Sequence, residues 1–189
     1  MKTIFKYWFI IGIIVTGFSG LLYMAVQQDL RHGADDPQIQ MAEDAAGKLA
    51  AGRQFPEVVP TEQVDIAQSL APYVIVFDAT GNPIASSAQL NGQIPSIPSG
   101  IFDYVKQNGK DTFTWQPQSN VRSAVVVTQF QGSRSGFVLA GRSLREVERR
   151  EDDIMHIVFL GWSALIFIPF AATAIIFRKA SNVGKVTNK

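Results

Sequence analysis

The stretch that decides the fold is YVIVFDATGNPIASS, residues 73–87. Its first five residues, Tyr73 to Phe77, form an apolar run of β-branched and aromatic side chains, which is typical of a buried strand. Asp78 ends the run, and Ala79 to Asn82 have the composition of a tight turn. Pro83 to Ser87 then follow as a partner strand. This stretch therefore predicts an antiparallel hairpin.

On the carboxyl side of the hairpin, changes in hydrophobic period predict four more elements. Ile101, Tyr104 and Val105 fall at helical spacing, which predicts a short helix over residues 99–108. Alternation and apolar runs predict three strands: Asp111–Gln116, Val121–Phe130 and Gly136–Arg142. With the hairpin, these strands give an antiparallel sheet of about five strands. The predicted class is therefore α+β.

The amino side of the hairpin predicts further helices. The chain is expected to break at His32-Gly33 and to restart at Asp35-Asp36-Pro37, an acidic cap followed by a proline at the first helical position. Apolar residues at helical spacing predict an amphipathic helix over residues 37–51, with Gly52 as its stop. A further short helix is possible over Glu62–Leu70.

Charge divides the chain into membrane and extramembrane parts. All sixteen acidic residues lie between Asp29 and Asp153, together with eleven basic ones, which gives that segment a net charge of −5. Two uncharged runs flank it, each long enough to cross a bilayer, and only basic residues lie beyond them. The predicted division is a cytoplasmic start (1–6), a first span (7–28), an extracytoplasmic domain (29–153), a second span (154–177) and a basic cytoplasmic tail (178–189).

Composition narrows the class of protein. The 47% hydrophobic fraction is explained by the two spans, so the segment between them is an ordinary polar domain. The overall charge of +1 averages two opposed regions and gives no indication of nucleic-acid binding. The absence of cysteine excludes disulfides, so the domain depends on its own core. A cleaved signal peptide is the alternative for the first span, but its apolar run is longer than is usual for one.

Element order and three short motifs resemble the extracytoplasmic PAS-like sensor domains, called PDC or Cache domains, of two-span histidine kinases and chemoreceptors. The motifs are the hairpin of residues 73–87, the long strand Val121–Phe130, and GRSLREVE at residues 141–148. The resemblance implies a PAS-like domain, in the order helix, two strands, helix, three strands, helix, on the outer side of a bacterial inner membrane. Only twelve residues follow the second span, so no HAMP linker or kinase fits there. The expected output is then a partner chain, an oligomeric rearrangement or a domain absent from this sequence.

Several residues are candidates for packing and coupling. Gly12, Thr16 and Gly20 form a small-residue stripe in the first span, suited to pairing within the chain or in a homodimer. Ser143-Leu144-Arg145-Glu146 has the pattern of a capping box, which starts a helix that continues into the second span. An alternating spacing of three and four residues, interrupted only by Glu151, places these side chains on one coupling seam: Leu144, Val147, Ile154, Val158, Gly161, Leu165 and Ile168. The alternative is that any apolar span contains such residues by chance.

The sequence gives little support for catalysis, since it contains no cysteine nucleophile, G-x-S-x-G, HExxH or P-loop motif. No metal or cofactor is expected. His32 and His156, near the outer ends of the spans, are a possible pH-sensitive or metal-binding pair, although they can equally be unrelated interfacial residues.

The PAS-like resemblance implies that a ligand pocket, if one exists, lies between the sheet and the helix of residues 99–108. Tyr104, Trp115, Arg122 and Arg142 are its candidate residues, because aromatic rings with guanidinium groups hold a small carboxylate well. The alternative is that Trp115 is core and the arginines are exposed. We therefore expect a non-enzymatic, membrane-anchored sensor or interaction module; the other hypothesis is a structural or assembly subunit of a membrane complex.

Overall fold

A computed structural model describes the backbone of residues 2–186 and the side chains of residues 6–31, 33 and 35–176. It divides into two compact units, one of residues 30–149 and one built from the chain segments before and after them. In chain order the elements are α1 (Lys2–Ala50), α2 (Phe55–Val58), β1 (Val64–Asp65), β2 (Tyr73–Asp78), β3 (Pro83–Ser86), β4 (Ala88–Gln89), α3 (Ser99–Asn108), β5 (Lys110–Gln118), β6 (Val121–Gln131), β7 (Ser135–Ser143) and α4 (Arg145–Val186).

The unit of residues 30–149 is built on one antiparallel sheet of five strands in the order β3-β2-β7-β6-β5. β2 lies inside the sheet, with Val76 opposite Ala85 of β3 on one side and Val138 of β7 on the other. The predicted hairpin and the three later strands are all present. The α+β class, with five antiparallel strands and two long apolar helices, is therefore confirmed. The small parallel pair of β1 and β4 lies outside this sheet and was not predicted.

Strand alternation gives the sheet two apolar faces, each covered by a helix. On one face, Ala45 and Leu49 of α1 belong to the same buried cluster as Val74, Phe130 and Val138. On the other face, α3 buries Phe102 and Val105 against aromatic and aliphatic side chains from four of the strands. These two layers bury nearly every large apolar side chain of the five strands, which supplies the main free energy of folding.

The predicted break at His32-Gly33 is wrong, because α1 is helical from Lys2 to Ala50 with Pro37 inside it. Proline removes one backbone hydrogen bond, but its fixed φ is itself helical, and the residue four positions before it is glycine, which has no side chain. Gln38 and Ala42, just beyond the proline, are almost fully buried, so tertiary packing holds this turn in place. Gly52, the expected stop, lies two residues past the helix with φ of +86°.

The predicted helix over Glu62–Leu70 is also wrong. Val64 pairs with Ala88, and the Asp65 carboxylate accepts a hydrogen bond of 2.9 Å from the Ala67 amide, which forms a turn instead. The short helix of this region lies earlier, at Phe55–Val58, with proline near its start.

The second unit contains the apolar parts of α1 and α4. On α1, the partly covered positions include Trp8, Gly12, Val15, Ser19, Tyr23 and Val26; on α4, they include Ile154, Val158, Trp162, Ile166 and Thr173. Of the predicted seam, Ile154 and Val158 are partly covered within the chain, whereas Gly161, Leu165 and Ile168 are exposed.

Candidate functional site

The four predicted pocket residues do not come together. Trp115 is buried in the cluster beneath α3, opposite Ser123 of β6. Arg142 lies opposite Ala124, and since Arg122 precedes Ala124 by two residues, both guanidinium groups belong to the other face of the sheet. Tyr104 is 50% exposed on α3. Aromatic and cationic groups are thus separated by the sheet, so these four residues do not line one pocket.

Apolar side chains fill the space between α3 and the sheet, where the resemblance implied a ligand. The Phe102 ring packs edge-on against Phe77 at 5.1 Å and lies 4.9 Å from Phe137. A Cβ atom at Gly81 would lie 2.7 Å from the Phe102 ring, so the hairpin turn also presses on this layer. The region is packed core.

Two arginines instead hold the segment that leads into β2. The guanidinium group of Arg145, in the first turn of α4, donates hydrogen bonds to the carbonyl oxygens of Ala67 and Gln68, the latter at 3.2 Å. Arg142, near the end of β7, donates from Nε to the Leu70 carbonyl at 3.2 Å. Hydrogen bonds from a charged donor are stronger than neutral ones. We call these two residues and Arg122 the arginine clasp.

Arg122 adds a third tie between the sheet and α4. Its guanidinium group forms an ion pair with Glu148, one turn into α4, and its carbonyl accepts a bond of 2.9 Å from the Leu144 amide. Beside it, Ser143 Oγ accepts a bond of 3.3 Å from the Arg145 amide. In the predicted capping box, Ser143 Oγ would accept its hydrogen bond from the Glu146 amide, three residues on. The observed donor is only two residues on, so Ser143 makes a tighter turn than a capping box.

The segment held by the clasp is a preformed turn. The two carboxylate oxygens of Asp65 accept bonds from the Ala67 amide and the Gln68 side chain, and Ser69 Oγ accepts one from the Ala71 amide. Its outward carbonyl groups are thereby fixed in position for the guanidinium groups. Arg145 was not predicted as a contact residue. The available signal was a cation in the first turn of a helix, where the macrodipole favours acids.

The small-residue stripe of α1 is only partly at a helix contact. Thr16 Oγ1 accepts a hydrogen bond of 2.9 Å from the indole nitrogen of Trp162. Gly12 lines a groove between the two helices with Trp8 and Ile166, whereas Gly20 is exposed. No atom lies within 4 Å of a Cβ built at either glycine, so the contact between the two helices within the chain does not depend on these glycines. Trp162 was not among the predicted packing residues.

The hairpin turn holds a carboxylate with a perturbed pKa. Asp78 accepts hydrogen bonds from the Thr80 hydroxyl at 2.6 Å, the Thr80 amide at 2.8 Å and the Asn82 amide at 2.9 Å. These donors, the Thr80 hydroxyl first, lower the pKa of Asp78 to about 2. Asp78 therefore stabilises the turn as an anion.

The titratable side chains that the structure describes elsewhere give no sign of a metal centre. The His32 side chain lies outside the described residues, so the predicted histidine pair is untested; His156 donates from Nδ1 to the Asp152 carbonyl at 2.7 Å. Among the side chains described, no group of three histidine, aspartate or glutamate residues is arranged to hold a metal ion. Comparison with models of known protein families and with curated proteins gave no match to this chain.

Proposed function

We propose that this chain is a non-enzymatic, membrane-anchored module whose PAS-like domain lies outside the cytoplasm and is coupled through α4 to a partner protein. The observation that carries the proposal is the arginine clasp. It ties the first turn of α4 to the turn that precedes β2, a strand in the interior of the sheet. A displacement of that turn by a bound partner would act directly on the start of α4.

Membrane anchoring is supported by the exposure of large apolar side chains on both long helices. Phe9 is 64% exposed on α1 and Leu160 is 67% exposed on α4, and neither apolar window has any buried residue. Such contiguous apolar surface is unfavourable in water and is expected of residues that face lipid. Combined with the basic chain ends, it supports a bacterial inner-membrane protein with both termini in the cytoplasm.

A protein partner is favoured over a small molecule by the packed interior. PAS-like sensing of a small molecule requires a cavity on the α3 side of the sheet, and Phe102, Val105 and Trp115 fill that side. The clasp, by contrast, is at the surface: Arg122 keeps 46% of its side-chain area exposed, and its ion-pair partner Glu148 keeps 39%. A protein can reach these groups without opening the core.

The test is to purify the full chain from its native membrane after mild cross-linking, in parallel with Arg145→Met and with Arg149→Met as the matched control. We expect a protein that is recovered in stoichiometric amount with the wild type and with Arg149→Met, and is lost with Arg145→Met. Recovery that is independent of Arg145 would instead support an assembly subunit. A thermal-shift screen of the same preparation covers the third outcome, since stabilisation by a small molecule without any partner would favour ligand sensing.

A further inference from the structure

The outer edge of β5 is the open edge of the sheet. β5 is a terminal strand of nine residues and pairs only with β6 among the described residues. The opposite edge strand, β3, has four residues, begins with Pro83 and has a register irregularity beside Phe77. Those features are the usual protection of an edge strand against pairing with another chain. β5 has less of this protection over Thr112–Gln116.

The hydrogen-bond pattern identifies which backbone groups point outward. Lys110 lies opposite Thr128, and the Gln129 amide donates to the Gly109 carbonyl at 3.2 Å. In an antiparallel ladder this bond makes Lys110 and Thr128 a pair that exchanges no hydrogen bonds, so the next residue on β5 directs its N–H and C=O to β6. Alternation then directs outward the backbone groups of Thr112, Thr114 and Gln116. None of these three has an outward backbone partner within the described chain.

Proline does not block this edge. Pro117 is the one residue of β5 without an amide hydrogen, and in the same alternation its nitrogen faces β6. Its effect is therefore on the internal pairing, where the register shifts between Trp115 and Gln118. The outward amides of the strand are unaffected.

The sequence of the edge is complementary to itself. We propose that β5 pairs antiparallel with β5 of a second copy, with the two-fold axis at Thr114, so that a continuous ten-stranded sheet forms. Thr114 then faces its own copy, Thr112 faces Gln116, and Phe113 faces Trp115 twice. In this register the outward N–H and C=O groups of one copy meet those of the other copy. The Phe113–Trp115 pairs fall at the non-hydrogen-bonded positions, where side chains approach most closely. No two like charges lie opposite each other. An isologous contact of this kind closes as a dimer.

Thr112, Thr114 and Gln116 are all exposed, so substitutions there leave the core intact. The chain has no cysteine, which allows single-cysteine cross-linking in the full chain in its own membrane. Thr114→Cys should give a disulfide-linked dimer under mild oxidation, because paired Cα atoms about 5.5 Å apart fit disulfide geometry. Thr112→Cys alone should give little, since its copies would be about 13 Å apart along the strands. A mixture of Thr112→Cys and Gln116→Cys chains should restore the cross-link.

The mass of the purified full chain gives the second measurement. Thr114→Lys opposes two like charges at the axis and should convert a dimer to a monomer, whereas Ser119→Lys, in the exposed β5–β6 turn, should not. An unchanged thermal transition for both variants would exclude misfolding. The proposal is overturned if Thr112→Cys links as well as Thr114→Cys, if neither links, or if Thr114→Lys stays dimeric. A dimer that persists with Thr114→Lys would place the contact elsewhere, for example in the membrane helices.

Discussion

The indole nitrogen of Trp162 donates a hydrogen bond of 2.9 Å to the Thr16 hydroxyl, which joins the apolar part of α4 to that of α1. Around this bond, each of the two helices has one line of partly covered side chains, and its other side chains are exposed. Trp8 and Phe170 add an edge-on ring contact at 5.9 Å. The two apolar helices therefore pair within one chain through aromatic side chains and a polar bond.

This bond should appear as a coupling energy between Thr16 and Trp162. In lipid such bonds contribute about 0.6 kcal/mol on average and up to about 1.7 kcal/mol. We expect a double-mutant cycle of Thr16→Val and Trp162→Phe, measured by unfolding of the full chain in bicelles, to give a coupling within this range. Strict additivity of the two substitutions would contradict the contact.

Loss of the Arg145 guanidinium should loosen the turn that precedes β2. Arg145→Met removes the bonds to the Ala67 and Gln68 carbonyls and, because the group is exposed, should cost only about 1 kcal/mol. Hydrogen exchange of the amides of residues 66–71 should nevertheless become clearly faster. Arg149→Met, also exposed and one turn further along α4, is the control. Unchanged exchange at residues 66–71 would show that the clasp does not order this turn.

Acid should remove the contribution of Asp78. Its pKa is lowered from 3.8 to about 2, so its stabilisation is fully present above pH 3.8 and is lost as the pH falls toward 2. We expect the Tm of the wild type to exceed that of Asp78→Asn by a constant amount near neutral pH, and the difference to shrink between pH 3.8 and 2. A difference that stays constant over that interval would contradict the role of the charge.

Gly141 should not tolerate a side chain. A Cβ atom there would lie 2.5 Å from Cζ and 2.6 Å from the hydroxyl oxygen of Tyr73, which is fully buried. Gly141→Ala should therefore lower the free energy of unfolding by about 1 to 3 kcal/mol. Gly100→Ala is the matched control, because nothing lies within 4 Å of a Cβ at that position. If denaturant unfolding gave the same change in free energy for Gly141→Ala and Gly100→Ala, the Tyr73 ring would have moved away from the new methyl group without cost.

The sheet was predictable because its strands carry local signals. Tyr73 to Phe77 and the turn that follows combine strand propensity with turn chemistry, and the observed hairpin matches within one residue. The predicted helix break near Pro37 was wrong because local signals do not show tertiary contacts. Pro37 has local breaker chemistry, but Gln38 beside it is buried and Ala42 packs against Val126 and Ala140 of strands far away in sequence. Tertiary contacts overrode propensity there.

The predicted ligand-binding residues do not come together because they lie on opposite faces of the sheet. Alternation correctly placed Arg122 on the face of Ala124 and Val126, but the sequence could not say which helix covers that face. It is α1, as the cluster of Ala42, Val126 and Ala140 shows. The hydrogen bonds from Arg142 and Arg145 to backbone carbonyl groups could not be predicted either, because every residue has a carbonyl group and the sequence does not show which one accepts.

The central claim is that the domain lies outside the cytoplasm between two spans, and cysteine accessibility tests it most directly. Since the natural chain has no cysteine, Ser119→Cys reports on the domain and Ser181→Cys on the basic tail. The cells are prepared so that the reagent reaches the outer face of an intact cytoplasmic membrane. A membrane-impermeant maleimide should then label Ser119→Cys at once, and Ser181→Cys only after the cytoplasmic membrane is permeabilised. Labelling of Ser181→Cys in intact cells, or protection of Ser119→Cys, would contradict the proposed topology.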